Sequence, residues 1–464
     1  MTKAAHPVTG LHLVRYGTAA DQKYLLGDFL KTYDQLIINA NMVAHMRSAL
    51  SSFISQRAKK SYFIDPQTHA FQHDTTHLAS SSKYSVGEIK RSIKALLKAY
   101  GEPVETRVGQ KQESIIPQDF KNPTVRLGFC RRVLKFQCDA IIKEVTESDS
   151  AKYFQYLKKK GMNVGTDHRP ALLVAPYFYM EANTVSHWLP VNLDLVRDSL
   201  GIAEDLGIPL ATQIVFSQDL LLNQSLVQRL IASYTEPELM PSVYLIWVDS
   251  FSEQEASENL LRSLITLLKG LGASAPVVNL YGGFFSVALN RCKVVPKLIG
   301  VSHSLEYGEH RAVVPIGGGV PVAKFYLPAL HARLPFRVAL RAVRALGGFN
   351  GAQEFRAQVC DCAECKQVIR DPETDFAEYG RTKAVQFSRK SQAVVMEYPL
   401  PETKDHSVKH YMWCKAKEYN APISLNVLLR ELEQAEKRLS RVVGFENSVH
   451  CQNWRNVLAG LTSE

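Results

Sequence analysis

The chain lacks any uninterrupted apolar run of about 18 residues, the length that crosses a membrane as a helix. Its first residues, "MTKAAHPVTGLHLVRYG", also lack the apolar stretch of a cleavable signal peptide. These two absences predict a soluble, cytoplasmic protein with no membrane partner. The 464 residues are 46% hydrophobic and 22% charged, so the chain has enough apolar side chains to bury a large core.

Cysteine is also scarce, with eight residues in the whole chain. In a cytoplasmic protein of this length, eight cysteines do not make a disulfide framework. Four of them are scattered among apolar or mixed residues and are predicted to be small buried side chains. These four are Cys130, Cys138, Cys292 and Cys451.

Three of the other cysteines form a C-x-C-x-x-C triplet in "AQVCDCAECKQ", at Cys360, Cys362 and Cys365. Three thiolates so close in sequence can reach one metal ion from a tight turn, and zinc takes four such ligands in a tetrahedron. The triplet therefore predicts a structural zinc site, with a redox role or coincidence as the alternatives.

The fourth zinc ligand is expected downstream, in "DHSVKHYMWCKAKEYN". His406, His410 and Cys414 are spaced four residues apart, which places them on one face of a helix. We favour His410 as the ligand, and His406 and Cys414 remain the alternatives.

The chain is short of acidic residues, and its net charge is +10. Residues 81–135 carry twelve Lys or Arg and five Asp or Glu, so this window supplies an excess of seven positive charges. Basic helical stretches with interleaved aromatic residues suit contacts with nucleic-acid phosphates. The alternative is a pair of helices with a solvated, lysine-rich face.

No glycine-rich dinucleotide fingerprint follows the first predicted strand, which argues against a Rossmann fold. Instead, eight short apolar runs recur, mostly with helical stretches between them. Unbroken apolar runs are typical of parallel strands buried on both faces, and eight of them favour a closed (β/α)8 barrel over an open doubly wound sheet. The runs are 35–41, 60–71, 170–180, 209–217, 242–251, 275–285, 296–304 and 312–328.

This pattern predicts an α/β chain in four segments. Residues 1–74 would begin a TIM-type barrel, 75–168 would form a basic helical insertion, and 169–345 would complete the barrel. Residues 346–464 would form a zinc-binding and helical C-terminal subdomain.

Barrel enzymes place their reactive groups at the C-terminal ends of the strands. Asp65 follows the run "SYFI" and Asp249 follows "YLIWV". A carboxylate at the end of an apolar strand is costly to bury unless it has a partner or a task. Both aspartates are therefore candidate catalytic residues, although Asp65 could be a turn residue before Pro66 and Asp249 a helix cap. Glu181 and Glu306 are the alternative carboxylates.

Several stretches resemble the tRNA-guanine transglycosylases: "FIDPQTHAFQ", "NLYGGFF", "LIGVSHSLEYGE", "CDCAEC" and "HYMWCKAKEYNAP". The resemblance covers roughly residues 35–430. The chain departs from the tRNA enzymes in its basic insertion and in Tyr-Gly-Gly where the family has Gln-Gly-Gly. It also has no aspartate in "FYLPALHAR", and 45 residues separate Cys365 from His410. It looks closer to the branch of the superfamily that inserts 7-deazaguanine bases into DNA.

The resemblance implies a base exchange in which a carboxylate attacks C1′ of a guanosine nucleotide and a 7-deazaguanine base replaces guanine. It implies Asp249 as the nucleophile and Asp65 as the acid/base. It also implies a base pocket whose candidate residues are Tyr177, Phe178, Tyr281, Gly282 and Gly283. The expected nucleic-acid partner is DNA or tRNA, with DNA favoured. The chain is also expected to form a homodimer or to bind other proteins of a modification system. A non-catalytic nucleic-acid-binding barrel and a glycosidic hydrolase are the alternatives.

Overall fold

A computed structural model of the chain describes residues 10–80, 87–147, 169–305, 308–314, 322–389 and 392–461. The chain divides into two compact units. The first comprises Met1–Phe251, Ser263–Gly282 and Val295–Pro315, and the second comprises Ser252–Arg262, Gly283–Val294 and Ile316–Glu464. The predicted zinc-binding subdomain lies inside the second unit.

The first unit contains an eight-stranded parallel sheet that is nearly closed into a barrel and is surrounded by helices, as predicted. The strands run in the order β3-β2-β1-β8-β7-β6-β5-β4. They are β1 Leu11–Tyr16, β2 Gln35–Asn39, β3 Ser61–Asp65, β4 Leu173–Val174, β5 Leu210–Ser217, β6 Val243–Asp249, β7 Val277–Leu280 and β8 Leu298–Ser304.

One barrel strand was not predicted from the sequence and one predicted strand is not observed among the described residues, so the number of strands is right but the set of strands is not. β1 was not expected, because His12 and Arg15 interrupt its apolar pattern. The described residues of the run 312–328 contribute no barrel strand. Its described part contains β9, Lys324–Leu327, which pairs antiparallel with β10, Ala332–Pro335, in the second unit.

The barrel interior is filled by alternate residues of the strands, since successive side chains on a strand point to opposite faces. This interior is a packed cluster of aliphatic and aromatic side chains. It includes Leu13, Ile37, Phe63, Val174, Ala211, Val215, Leu245, Trp247, Val278 and Leu280. The other face of each strand meets helices, which explains why the strands are apolar without alternation.

The helices of this unit are mostly the ones that connect the strands. The predicted basic insertion contributes α3 and α4, and α4 packs against α2 and α5. The helices are α1 Ala40–His45, α2 Arg47–Ser52, α3 Arg91–Tyr100, α4 Pro123–Glu147, α5 Val185–Leu206 and α6 Gln224–Tyr234, followed by α7 Glu258–Gly272, which the division between the units crosses.

The seam between β3 and β4 is the weak part of the barrel. One backbone hydrogen bond crosses it near the start of β4, from Ala171 N to Tyr62 O at 2.8 Å. Further along, the side chain of the buried Gln137 of α4 makes the hydrogen bonds to β4 that a neighbouring strand would otherwise make. Its amide oxygen accepts from Val174 N and its amide nitrogen donates to Val174 O, both at 2.8 Å. The insertion helix is therefore part of the barrel wall.

The second unit consists of helices, the β9–β10 pair and a β-hairpin. The hairpin strands are β11 Thr382–Arg389 and β12 Gln392–Pro399. The helices are α8 Phe284–Arg291, α9 Phe336–Ala345, α10 Ala352–Gln358, α11 Ala363–Val368, α12 Pro372–Asp375, α13 Pro401–Asn420, α14 Leu425–Val443 and α15 Val449–Gly460. α13 packs against α11 and β9. In the described ranges, no helix has the length and apolar character needed to cross a membrane.

Candidate active site and metal centre

Polar side chains replace apolar ones at the C-terminal end of the barrel interior. Asp65 ends β3 and Asp249 ends β6, and each continues the inward-facing series of its strand. Arg15 stands on β1 two residues after the interior residue Leu13, so it faces the same way. The two predicted carboxylates therefore lie at the same end of one barrel, together with an arginine that the sequence did not single out.

Asp65 is enclosed by three partners. Its Oδ1 accepts from the Tyr177 hydroxyl at 2.6 Å and from the backbone N of Gln67 at 3.1 Å, and its Oδ2 lies 3.4 Å from Arg15 Nη1. The side chains of Arg15 and Asp65 are each 2% exposed. Burial, and after it the nearby Arg311, lower the pKa of Arg15 to about 9, although Asp65 opposes both effects. The pair is thus a buried ion pair held by a tyrosine, rather than a simple turn.

Asp249 is half-buried and is held by different donors. Its Oδ1 accepts from Val313 N at 2.7 Å and from the Ser250 hydroxyl at 3.1 Å, and its Oδ2 accepts from the Tyr179 hydroxyl at 3.0 Å. It does not cap α7, which begins only at Glu258. Three donors orient this carboxylate and leave it partly open to solvent.

One short segment after β4 reaches both carboxylates. Tyr177 donates to Asp65 and Tyr179 donates to Asp249, and these tyrosines are two residues apart, so their Cα atoms are at most about 7 Å from each other. Phe178, between them, points the other way. It stacks on Trp188 with ring centroids 4.6 Å apart.

Two histidines extend this arrangement. His69 Nδ1 lies 3.1 Å from the Tyr177 hydroxyl, and its ring contacts the ring of His73, which in turn contacts Tyr179. Burial lowers the pKa of His69 well below its ordinary value and lowers that of His73 to about 4, although Asp249 opposes the second shift. Both imidazoles are therefore neutral near pH 7, with one ring nitrogen that donates a hydrogen bond and one that accepts.

The predicted base-pocket residues lie in different environments. Tyr281 follows β7 and faces the barrel interior. Its ring centroid lies 5.0 Å from that of Trp247, and its hydroxyl accepts a hydrogen bond from Arg311. Gly282 donates its backbone N–H to Ser302 O, and Gly283 immediately precedes α8. The structure therefore brings Tyr177 and Tyr281 to the barrel interior and leaves Phe178 among helix side chains.

Backbone strain collects at the same end of the barrel. Three residues that closely follow strands have positive φ although none is glycine: Gln67 after β3, Ser250 after β6 and Tyr281 after β7. Such conformations cost about 1–3 kcal/mol each and concentrate at functional sites. They mark the strand ends that carry the predicted residues.

Sequence reasoning missed three interior residues with unsatisfied polar atoms. Arg15 Nε and Nη2, both amide atoms of Gln213 and Asn39 Oδ1 are buried and have no hydrogen-bond partner among the described residues. Gln213 shares the inward face of β5 with Ala211 and Val215. A glutamine inside the apolar run "PLATQIVFS" was the available signal for it. Buried donors and acceptors left open in this way suit a small polar ligand.

Of the two alternative carboxylates, the described one, Glu181, does not join this group. Glu181 is exposed and lies at the turn before α5, where its backbone N bonds to Thr184. Glu306 lies outside the described residues.

The candidate metal centre gathers all three cysteines of the triplet with His410 and Cys414. Cys360 and Cys362 lie in the turn before α11, Cys365 lies on α11, and His410 and Cys414 lie one turn apart on α13. All five are buried. The ligand atoms of Cys360, Cys362, His410 and Cys414 lie within 4.8 Å of one another. Cys365 Sγ is 3.3 Å from His410 Nδ1.

These distances fit a tetrahedral metal ion. Sulfurs bound to zinc at about 2.3 Å stand about 3.8 Å apart at tetrahedral angles. Cys360 Sγ and Cys414 Sγ are 3.6 Å apart, and Cys360 Sγ is 3.8 Å from His410 Nδ1. The set could therefore hold a metal such as zinc.

The orientation of His410 supports this interpretation. Its Nε2 lies 2.7 Å from the backbone oxygen of Tyr326 on β9, so Nε2 carries the proton and Nδ1 faces the sulfurs. Hydrogen bonds from the neighbouring thiols, Cys360 first, lower the pKa of Cys362. His406 points elsewhere, and its Nδ1 lies 2.7 Å from Glu364.

Several Lys and Arg side chains of the basic insertion pair with other groups of the protein. Lys94 pairs with Glu88, and Arg132 donates to the backbone oxygens of Tyr100 and Glu102. Arg126 pairs with aspartates of α5. Four other cations on α3 and α4 are exposed: Arg91, Lys98, Arg131 and Lys135. Lys83 and Tyr84, which belong to the predicted basic stretch, lie outside the described residues.

No protein-family model matches the sequence, and no curated protein matches it either.

Proposed function

We propose that this protein exchanges guanine in nucleic acid, with DNA favoured over tRNA, for a 7-deazaguanine base at the C-terminal end of the barrel. The observation that carries the proposal is the pair of strand-end carboxylates, Asp65 and Asp249, each oriented by a tyrosine of the same short segment. Paired carboxylates are the usual catalysts of glycosidic bond cleavage.

Asp249 has the features of a nucleophile. It is half-buried and is fixed by Val313 N and Tyr179. In the first step an Asp249 oxygen bonds to C1′ and the C1′–N9 bond breaks. The bonding electrons go to guanine N9, which takes a proton. In the second step the incoming base loses its N9 proton, attacks C1′ and releases the carboxylate.

Asp65 has the features of the acid/base partner. Its Oδ1 is joined through the Tyr177 hydroxyl to His69 Nδ1, and this chain of hydrogen bonds can carry a proton to or from the departing and incoming bases. The rings of Trp247 and Tyr281 lie in contact at this end of the barrel, and the unpaired buried amide of Gln213 would supply a donor and an acceptor for the edge of a base. The target base must leave its helix stack to reach this position.

The metal centre has a structural role in this proposal. Zinc bound by thiolates and His410 would link α11 to α13 and would contribute folding free energy to the second unit. The exposed cations of α3 and α4 would meet the phosphates, and the reaction would take place in the cytoplasm, where the thiols stay reduced.

Isotope exchange tests this proposal whichever 7-deazaguanine base the protein uses, because guanine itself can re-enter the site. Purified protein and radiolabelled guanine would be incubated with one nucleic acid per reaction: duplex DNA, single-stranded DNA or tRNA. We expect label to enter DNA, and we expect Asp249→Asn to abolish incorporation. Asp65→Asn should slow it by about 10²–10⁴-fold, as expected for lost acid/base help. Asp219→Asn, an exposed aspartate just after β5, is the matched control and should exchange normally.

The products separate the other functions. Free guanine with an abasic site would identify a hydrolase, and label in tRNA alone would reverse the preference for DNA. Binding without any chemical change would favour a non-catalytic nucleic-acid-binding barrel. The enclosure of Asp65, which is 1% exposed and already paired with Arg15, favours that second candidate. Mass spectrometry of nucleosides from cells with and without the gene would extend the test to the natural substrate.

A further inference from the structure

The metal centre contains more donors than one tetrahedral ion uses. Zinc takes four ligands, and five side chains converge here. Cys360, Cys362 and His410 belong both to the set of four predicted from the sequence and to the group of four that the structure brings together. Cys414 completes the group whose ligand atoms all lie within 4.8 Å of one another, and Cys365 falls outside that group although its sulfur is 3.3 Å from His410 Nδ1.

The two remaining thiols approach His410 from different elements. Cys365 lies on α11, and its Sγ is also 3.5 Å from the Tyr379 hydroxyl. Cys414 lies one turn after His410 on α13, and its Sγ is 3.6 Å from both His410 Nδ1 and Cys360 Sγ. Each thiol is therefore within 3.6 Å of His410 Nδ1, and Cys365 also interacts with the thiols of Cys360 and Cys362.

The surroundings of the two thiols also differ. A cavity of about 390 Å³ in the second unit is lined by Cys360, Cys362 and Cys414 together with His331 and Glu418. Cys365 is not among the residues that line it. The Cys414 side of the centre is thus open to a cavity that can admit water, and the Cys365 side is covered by Tyr379.

We propose that Cys365 and Cys414 are alternative fourth ligands of one metal ion. In the exchange, the metal–sulfur bond to one thiolate breaks as the bond to the other forms. The incoming thiol loses its proton and the outgoing thiolate takes one, so the charge of the centre is unchanged. The metal stays bound to Cys360, Cys362 and His410 throughout. This inference does not depend on the base-exchange proposal.

Cobalt substitution counts the thiolates directly. Sulfur-to-cobalt charge-transfer absorption grows with the number of Co–S bonds, and Co²⁺ occupies tetrahedral zinc sites. The full-length protein would be prepared with Co²⁺ as wild type, Cys365→Ser, Cys414→Ser and the double variant. We expect both single variants to keep one Co²⁺ with the intensity of wild type, since either thiol replaces the other. The double variant should lose about one third of the intensity, as three thiolates become two.

Cys451→Ser is the matched control, because Cys451 is another buried cysteine of the second unit and stands outside the metal-binding group. It should leave the spectrum unchanged. If Cys365→Ser alone loses as much intensity as the double variant, or binds no Co²⁺ while folded, the proposal is wrong.

A second measurement covers the case in which Cys365→Ser does not fold. Cys414→Ser changes one side chain that is 4% exposed and keeps the predicted set of four ligands intact. When the zinc–sulfur bond to Cys365 breaks, this variant has no second thiol to bind the ion. It should therefore release zinc to a colorimetric chelator several-fold faster than wild type. An unchanged release rate would show that Cys414 takes no part in binding.

Discussion

The buried pair of Arg15 and Asp65 allows a quantitative prediction about the barrel. The two side chains are each 2% exposed and 3.4 Å apart, and two of the three guanidinium nitrogens of Arg15 have no other partner among the described residues. Asp65→Asn would leave a buried cation without its counter-ion. Breaking a buried pair in this way costs about 3–5 kcal/mol.

The cost should be unequal for the two partners. Without Arg15, Asp65 still accepts hydrogen bonds from Tyr177 and Gln67, so Arg15→Met should destabilise the protein less than Asp65→Asn. The double variant removes both charges and should be more stable than Asp65→Asn alone, because a neutral replacement of a buried pair is often close to neutral in free energy.

Guanidinium unfolding followed by circular dichroism would measure these differences. The midpoints of the four proteins give a double-mutant cycle, for which we expect a coupling free energy of about 2 kcal/mol or more. Glu433→Gln is the control, since it breaks an exposed pair with Lys437 that has a 2.6 Å separation and should shift the midpoint little. If Arg15→Met shifts the midpoint equally in the wild type and in Asp65→Asn, the coupling free energy is zero, the two charges do not stabilise each other and the argument fails.

Three further predictions concern other parts of the molecule. Cys362→Ser should lower zinc content and unfold the second unit, and elemental analysis with circular dichroism would detect both; full metal content would contradict the assigned centre. Replacing Arg91 and Arg131 together by Gln should reduce the slope of log K against log salt for DNA by about 2, because each phosphate contact contributes about 0.9; an unchanged slope would leave these residues as a solvated face. Burial lowers the pKa of His450 to about 4, so the unfolded state takes up a proton below pH 6.5 while the folded state does not. His450 should therefore contribute a fall in stability of about 3 kcal/mol between pH 6.5 and 4, on top of the falls from the buried His69 and His73. His450→Gln, which keeps a donor for Leu330 O, should remove the His450 contribution alone in acid unfolding curves.

The barrel was predictable because its strands are short apolar runs separated by helices, and this pattern depends on burial on both faces. β1 was not predictable in the same way. Its Arg15 is a charge inside the barrel, and only its partner Asp65, fifty residues later, makes that position tolerable. A strand whose interior residue is stabilised by a distant ion pair gives no local apolar signal.

The candidate site shows the same division between local and distant information. Asp65 and Asp249 could be found because a carboxylate at the end of an apolar run is unusual. In "APYFYM" the sequence could not say whether Tyr177 or Phe178 faces the interior, because an unbroken run leaves the facing of each residue open. The metal triplet is visible in its spacing. The convergence of both Cys365 and Cys414 on His410 depends on how α11 packs against α13, which no spacing records.

Gln137 pairs with β4 at the β3–β4 seam where a strand would otherwise pair, and this constrains how the chain can change during evolution. An inserted segment on a barrel surface is usually dispensable, since its loss leaves the strands paired. Here the amide of one residue in the insertion closes the polar edge of β4. A deletion that removed α4 would leave Val174 N and O without these hydrogen bonds. The insertion and the barrel should therefore change together, because a shorter chain needs another group to pair with Val174.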